Sequence, residues 1–409
     1  MWRNNEKLER VCGRVFLVIF LLSLPLVWLR LFIGGKTDAF EDESRYAKRM
    51  PEINAKDIWH GNFQEDLEKS LADQMPTSES AREATMTFDG AIFDNLSWLA
   101  ARKGSNYHLV ANKVYAYKDY DYLLRPKLPA SQTNFKNDDS EESREIRRIA
   151  ETSSEYYNNL MIRNKYYYDI TNDQAFDFDH PSNDYMDLRA SYYPEFMQSR
   201  LEIPDFNTYT KYYMKNDHHW NYEGAYQGYK DIIRLMLGDN EELLKPAEKV
   251  VFNYNAQGTK SKTAHFYKYV EKFTAYHFEL GEHETFVNGD KHEYGNQTEY
   301  FEDNNLRNGT GDITYGDFYG LDTAVIHYDY KQPEKSNLIM IGFSDSNAIN
   351  ALVASHFNKT WVIDPRFCSR NEFEQIVSKN SVDYLLLLPN TSSIIPELVE
   401  QPRGYDDAV

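Results

Sequence analysis

Two cysteines in a chain of 409 residues cannot build a disulfide framework. Proline and glycine are also scarce, at 14 and 19, which removes the collagen-like and low-complexity classes. The sequence has no H-E-x-x-H, no Walker loop, no G-x-G-x-x-G and no C-x-x-C. The usual signatures of zinc hydrolases, P-loop enzymes, dinucleotide enzymes and thiol redox proteins are therefore missing. The histidines in HGN, GEHETF and KHEYG stand alone rather than at ligand spacing, so neither a metal nor a cofactor is expected. Positive charge is short as well: 45 Lys and Arg against 64 Asp and Glu give a formal charge of −19. Such a chain repels a phosphate backbone, and no nucleic-acid partner is expected. What remains is 41% apolar and 15% aromatic, enough for a sizeable core in one large domain or several small ones at roughly 100–200 residues each.

Long apolar runs are few, with one exception. Val15 to Ile33 reads VFLVIFLLSLPLVWLRLFI, preceded by Arg3, Lys7, Arg10 and Arg14 and followed by DAFEDES. As a helix it rises roughly 28 Å, near the hydrocarbon thickness of a bilayer. Arg30 can snorkel to the interface and Trp28 can anchor there. A cleaved signal peptide is the rival reading, but the run is long for one and no A-x-A site follows. The expectation is a single-pass anchor over 15–34, a cytoplasmic tail over 1–14, and everything after it outside a bacterial cell. Cys12 and Cys368 then fall on opposite sides of the membrane. Residues 35–82 read as a stalk with a lead-in helix at 63–75, where Phe63, Leu67 and Leu71 repeat every four residues before Pro76. Residues 83–400 form the main domain.

Within that domain, 86–124 holds β-leaning runs, and 138–160 an acid-led surface helix. Residues 240–335 lack long apolar runs and read as a loop-rich insertion with short strands. The last quarter is the most regular part. NLIMIG, KTWVID and VDYLLLL are strands, alternating with helical NAINALVASHF and RNEFEQIVSKN. That order predicts an α/β fold with parallel strands and right-handed crossovers.

Two places have the residue types for chemistry. In NDHHWNYEGAYQGYKDIIRLML, Ala225, Tyr229, Ile232, Ile233 and Met236 recur at helical spacing from an Asn221 N-cap to Gly238. D-H-H-W then lies in the turn before the helix, where Asp217 reaches the imidazole of His219 and His218 points elsewhere. An aspartate holding a histidine in one tautomer is half of a Ser-His-Asp triad. Alternatively, Asp217 caps a turn and the histidines pack or bind a metal. In NLIMIGFSDSNAIN, an apolar strand runs through Gly342 into Ser344 and a helix. A serine there is presented beside the N–H groups of a first helical turn. Ser346 competes with Ser344 as the nucleophile, and Ser346 or Asp345 can equally be a plain N-cap.

NDHHWNYEGAY resembles the [TN]-D-x-H-W-[TN]-x-x-G-A signature of the alginate O-acetyltransferase (AlgJ/AlgX-like) proteins and of the bacterial DHHW family. GFSDS is similar to the G-S-S-E turn of the DltD proteins, FQEDLEKSLADQMP to the lead-in helix of the group, and WVIDPR to its D-x-R strand end. The resemblance implies an SGNH-hydrolase-like three-layer domain with a parallel central sheet and permuted catalytic order. It makes Ser344 the nucleophile, His219 the base and Asp217 the orienting carboxylate. Arg366, His218 and Trp220 become candidate substrate-binding residues, although an arginine closing a strand end in an ion pair reads equally well. Phe343 stands where the family usually has a polar residue. The implied activity is O-acyl transfer, chiefly acetyl, to a cell-surface polysaccharide or wall polymer. A membrane-bound O-acyltransferase is the implied acyl donor. A carbohydrate esterase with the same triad and an inactive glycan-binding scaffold are the alternatives.

Overall fold

The computed structural model describes residues 106–400 except 112, 119, 176, 265–270, 294–295 and 391–393, together with 39–40, 45–46, 67 and 70. The chain divides into two compact units, 1–95 with 409, and 96–408. In the first, Ala39–Phe40 pairs antiparallel with Arg45–Tyr46, and Leu67 and Ser70 are helical within the helix expected over 63–75. The anchor expected over 15–34 and its tail lie outside the described residues. Among the described residues no helix is long and apolar enough to cross a membrane.

The second unit is built on an eight-stranded sheet. Its strands are β1 Asn164–Asp169, β2 Met197–Arg200, β3 Glu284–Val287, β4 Asp290–His292, β5 Val325–Asp329, β6 Asn337–Gly342, β7 Lys359–Ile363 and β8 Val382–Leu388. They lie in the order β4-β3-β5-β7-β6-β8-β1-β2. From β7 to β2 every pairing is parallel, as strands joined by helices require. β5, β3 and β4 extend the sheet antiparallel, so it is mixed rather than parallel throughout. These three strands come from 240–335, which also supplies a separate sheet of Glu248–Ala256, Lys272–His277 and Gly311–Ile313. A third sheet joins Tyr107–Ala111, Val114–Tyr117 and Leu123–Leu124.

The helices that matter for the site and its layers are α1 Glu141–Asn158, α2 Phe206–Tyr212, α3 Tyr222–Leu237, α4 Thr259–Ala264, α5 Tyr315–Tyr319, α6 Asn350–Ala354 and α7 Arg370–Lys379. Successive side chains of a strand point to opposite faces, and β6 shows the consequence. Leu338 and Met340 join a core with Tyr229, Ile232 and Ile233 of α3. Ile339 and Ile341 join another with Tyr157 of α1 and Phe373 of α7. Helices cover both faces, which makes three layers.

Candidate active site

The serine turn is largely built from its own residues. At Gly342 a Cβ would lie 3.1 Å from the Cβ of Leu388 on β8, so the missing side chain lets the strands close up. The chain then enters a 3-10 turn, Ser344–Ala348, with Phe343 extended before it at φ −119° and ψ −172° and no side-chain cap. The alternative cap and nucleophile, Ser346, is buried and donates its hydroxyl to the Phe343 carbonyl at 2.9 Å. Asp345 is buried too, and accepts from Asn390 Nδ2 at 2.7 Å. Ser344 stays partly exposed. Strand alternation puts it on the α3 side with Leu338 and Met340. Phe343 points the other way, packed against the second core beneath the Arg366 guanidinium at 5.2 Å. The bulky residue at 343 therefore does not crowd the serine.

The histidine turn is closed by a bridge between Tyr213 and Trp220 and followed at once by α3. Asn221 caps that helix, accepting from Glu223 N at 2.9 Å and Gly224 N at 3.0 Å. Asp217 Oδ1 takes both the backbone N–H of His219, at 3.0 Å, and its ring Nδ1, at 2.7 Å. His219 Nε2 lies 3.0 Å from Ser344 Oγ. The other oxygen of Asp217 accepts Thr259 N from the start of α4, at 3.0 Å. Tyr315 of α5 stacks on the His219 ring, 3.8 Å between centroids and 3° from parallel. Its hydroxyl donates to the Asp345 carbonyl at 3.1 Å and accepts Ala348 N at 3.2 Å. One tyrosine thus ties the imidazole to the serine turn.

The electrostatics follow from this geometry. Burial works against ionised Asp217, but the His219 and His218 imidazoles outweigh it and hold the carboxyl well below the usual range. Burial also works against protonated His219; the Asp217 charge and hydrogen bond prevail, and the imidazole is raised above its ordinary value. His218 moves the opposite way, lowered by burial and by His219. The site therefore holds one anion, one raised histidine and one depressed histidine side by side.

The remaining candidates separate. His218 sits beside the pair, its Nδ1 2.8 Å from Thr259 Oγ1 and 3.2 Å from Asp217 Oδ1. Trp220 is wholly buried, which corrects its assignment as a substrate-binding residue. Its indole fills the slot above Gly228, where a Cβ would come within 2.5 Å of the ring. Arg366 bonds Asp364 through Nε, at 2.9 Å, and Asp322 through Nη2, at 2.5 Å, so it closes the end of β7 as an ion pair. Asp217, His218 and His219 are close enough to share a metal ion. Both His219 nitrogens are already engaged, however, and a metal would have to break that chain.

Behind the turn lies support that no motif announced. Asn216 donates to the Ala256 carbonyl at 2.6 Å and accepts Lys260 N and Ser261 N at 3.0 and 3.1 Å. Gly258 makes this contact possible, since a Cβ there would fall 2.2 Å from the Asn216 oxygen. The buried Lys260 ammonium bonds the Leu123 carbonyl at 2.7 Å and Tyr209 Oη at 3.0 Å. It also lies 3.7 Å from Asp173. Burial would raise the Asp173 carboxyl, yet Arg125 and Lys260 push it down to about 2. These partners are remote in sequence, and nothing local marks them.

No protein-family model matches the chain, and no curated protein matches it in sequence. Solved structures do. A DHHW family protein from Eubacterium siraeum matches over 71% of this chain and 97% of its own, at 15% identity and a TM-score of 0.50. Bacillus cereus PatB1, solved with a sulfonyl adduct, matches over the same shares at 16% identity and a TM-score of 0.50. At such identities the likeness is one of fold. The chain is a structural relative of a DHHW family protein, as its D-H-H-W motif implies.

Proposed function

We propose that this chain is a serine-dependent O-acyltransferase that moves an acyl group, chiefly acetyl, onto hydroxyls of a cell-surface polysaccharide or wall polymer. It works from an anchored position outside the cell. The observation that carries the reading is the connected chain from Asp217 Oδ1 to His219 Nδ1 at 2.7 Å and from His219 Nε2 to Ser344 Oγ at 3.0 Å. The sulfonyl adduct on a protein of the same fold supports a covalent mechanism, and the motif resemblance supplies the acyl group and the acceptor. The SGNH-hydrolase-like assignment, with base and carboxylate preceding the nucleophile in the chain, is part of the same proposal.

Asp217 keeps the proton on Nδ1, so Nε2 is the base. His219 takes the Ser344 proton as Oγ attacks the acyl carbonyl carbon. Backbone N–H groups of Ser344 and Asp345, in the first turn after Phe343, receive the oxyanion. The intermediate collapses to acyl-Ser344 as the donor's leaving group takes the proton from His219. An acceptor hydroxyl then gives its proton to His219 and attacks the acyl-serine; the new ester departs as the proton returns to Oγ. The donor in this reading is a membrane-bound O-acyltransferase that passes the acyl group across the bilayer.

Treating the full chain with a sulfonyl fluoride is expected to give a single adduct on Ser344, lost in a folded Ser344→Ala variant. Equal labelling of that variant overturns the reading. Feeding an activated acetyl ester with wall oligosaccharides is expected to yield acetylated sugar by mass spectrometry. Free acetate alone would make the protein an esterase.

A further inference from the structure

We propose that Glu271 is a positioning residue for the Asp217–His219 pair, and that the pair is fully assembled only while the Glu271 carboxylate is ionised. This rests on the triad reading above. Glu271 Oε1 accepts two successive backbone N–H groups, Lys215 at 2.7 Å and Asn216 at 3.3 Å, which are the residues leading into Asp217. Its main-chain carbonyl accepts Ala256 N at 2.9 Å. Ala256 begins the segment that takes Asn216 through hydrogen bonds and Asp217 Oδ2 through Thr259 N. Glu271 thus grips both jaws of the clamp on Asp217, one with its side chain and the other with its backbone.

The surroundings make that grip dependent on charge. Burial pushes the Glu271 carboxyl up to about 7, prevailing over the two N–H bonds and the Lys215 and Lys260 charges, all of which favour the anion. Lys215 is itself paired with Asp121 at 3.2 Å, and Lys260 is shared with Asp173. Tyr122, a further ionisable neighbour among the described residues, is raised by burial and by the Glu271 charge. An ionised carboxylate makes short, charge-assisted bonds to N–H groups; protonation weakens both and adds a hydroxyl that needs an acceptor. His219 must also lose its proton to act as base. The acid side of the activity profile therefore depends on two protons, one of them remote from the reacting atoms.

The rate of Ser344 labelling by a sulfonyl fluoride, measured on the full chain from pH 5 to 9, tests this. Wild type is expected to fall faster than about 10-fold per pH unit where Glu271 takes up its proton, by an extra factor of about 3 to 10 in all, and Glu271→Gln to fall about 10-fold per unit throughout. The glutamine keeps a carbonyl acceptor without the charge, and at pH 8 it is expected to label about 3- to 10-fold more slowly than wild type. A one-proton limb in wild type overturns the inference, as does a folded Glu271→Gln variant with an unchanged two-proton limb. If the glutamine variant does not fold, carbon-13 NMR of glutamate side chains in the Ser344→Ala protein decides. A carboxyl carbon titrating near pH 7 supports the assignment and its absence overturns it. Labelling that does not need Ser344 sinks the triad and this inference together, whereas a Ser344-dependent one-proton limb sinks Glu271 alone.

Discussion

The two turns that meet at the site are held by different means. The serine turn leans more on its own residues: Gly342 admits the neighbouring strand, Ser346 fastens the Phe343 carbonyl, and the 3-10 turn presents Ser344, with Tyr315 and Asn390 as distant supports. The histidine turn is held from outside, by Ala256, Thr259, Lys260, Ser261 and Glu271. A local turn needs little beyond its own residues to keep its shape. A turn held by distant partners takes its geometry, and its sensitivity to mutation and pH, from them.

Four substitutions probe that difference. The largest expected effect is at Asp217→Asn, which should slow Ser344 labelling by about 10³- to 10⁴-fold by disturbing the tautomer and leaving the imidazolium unsupported. Ser346→Ala, on the other turn, should slow it less than about 5-fold, because it loses one hydrogen bond. If Ser346→Ala abolishes labelling instead, the nucleophile has been misassigned. Next comes Gly258→Ala. Its Cβ would fall 2.2 Å from the Asn216 oxygen and 2.5 Å from Asp217 Cβ, and denaturant unfolding should show a loss of about 2–4 kcal/mol. Gly342→Ala, with its nearest contact at 3.1 Å, should cost about 1 kcal/mol; the reverse order would break the comparison.

Stability against pH gives a third, smaller effect. The Glu271 carboxyl is raised from 4.5 to about 7, so the folded state holds its proton longer and stability falls as pH rises through that window. Glu271→Gln should remove that loss, on the order of 2 kcal/mol between pH 5 and 8. Asp217 has the opposite sign: its stabilisation is present above its unfolded value and is lost as pH falls through its depressed folded value. Tyr315→Phe, which loses the bonds of the hydroxyl to the Asp345 carbonyl and Ala348 N, should cost about 1–2 kcal/mol by thermal denaturation and leave the stacked ring in place.

The same division explains what could be read beforehand. The Asn221 cap, the helix to Gly238 and the three strands of the last quarter depend on nearby residues, and the chain announces them. So does the Asp217–His219 contact, which is made within a three-residue turn. The clamp from Ala256 to Glu271 is tertiary, and it lies in a stretch whose short strands carry no long apolar run. That stretch reads as a loop-rich insertion with short strands, and nothing in it announces that three of those strands extend the main sheet antiparallel. Trp220 misled because a tryptophan beside a reactive turn suggests stacking on a substrate. Only the space left by Gly228, eight residues on, shows where the indole goes. Phe343 looked like a departure at the site until strand alternation turned it to the other face.

The ring of His219 has two neighbours at 3.8 Å, Tyr315 and His218. Held at Nδ1 by Asp217 and stacked on Tyr315, it presents Nε2 to Ser344, so each proton of the reaction passes through that one atom. On the triad reading, the incoming hydroxyl has to stand where the departing donor stood. The two substrates then take turns in a single berth, and the donor must clear it before the acceptor can approach. A double-displacement pattern of initial rates, with each substrate competing against the other at high concentration, is the kinetic form of that shared place.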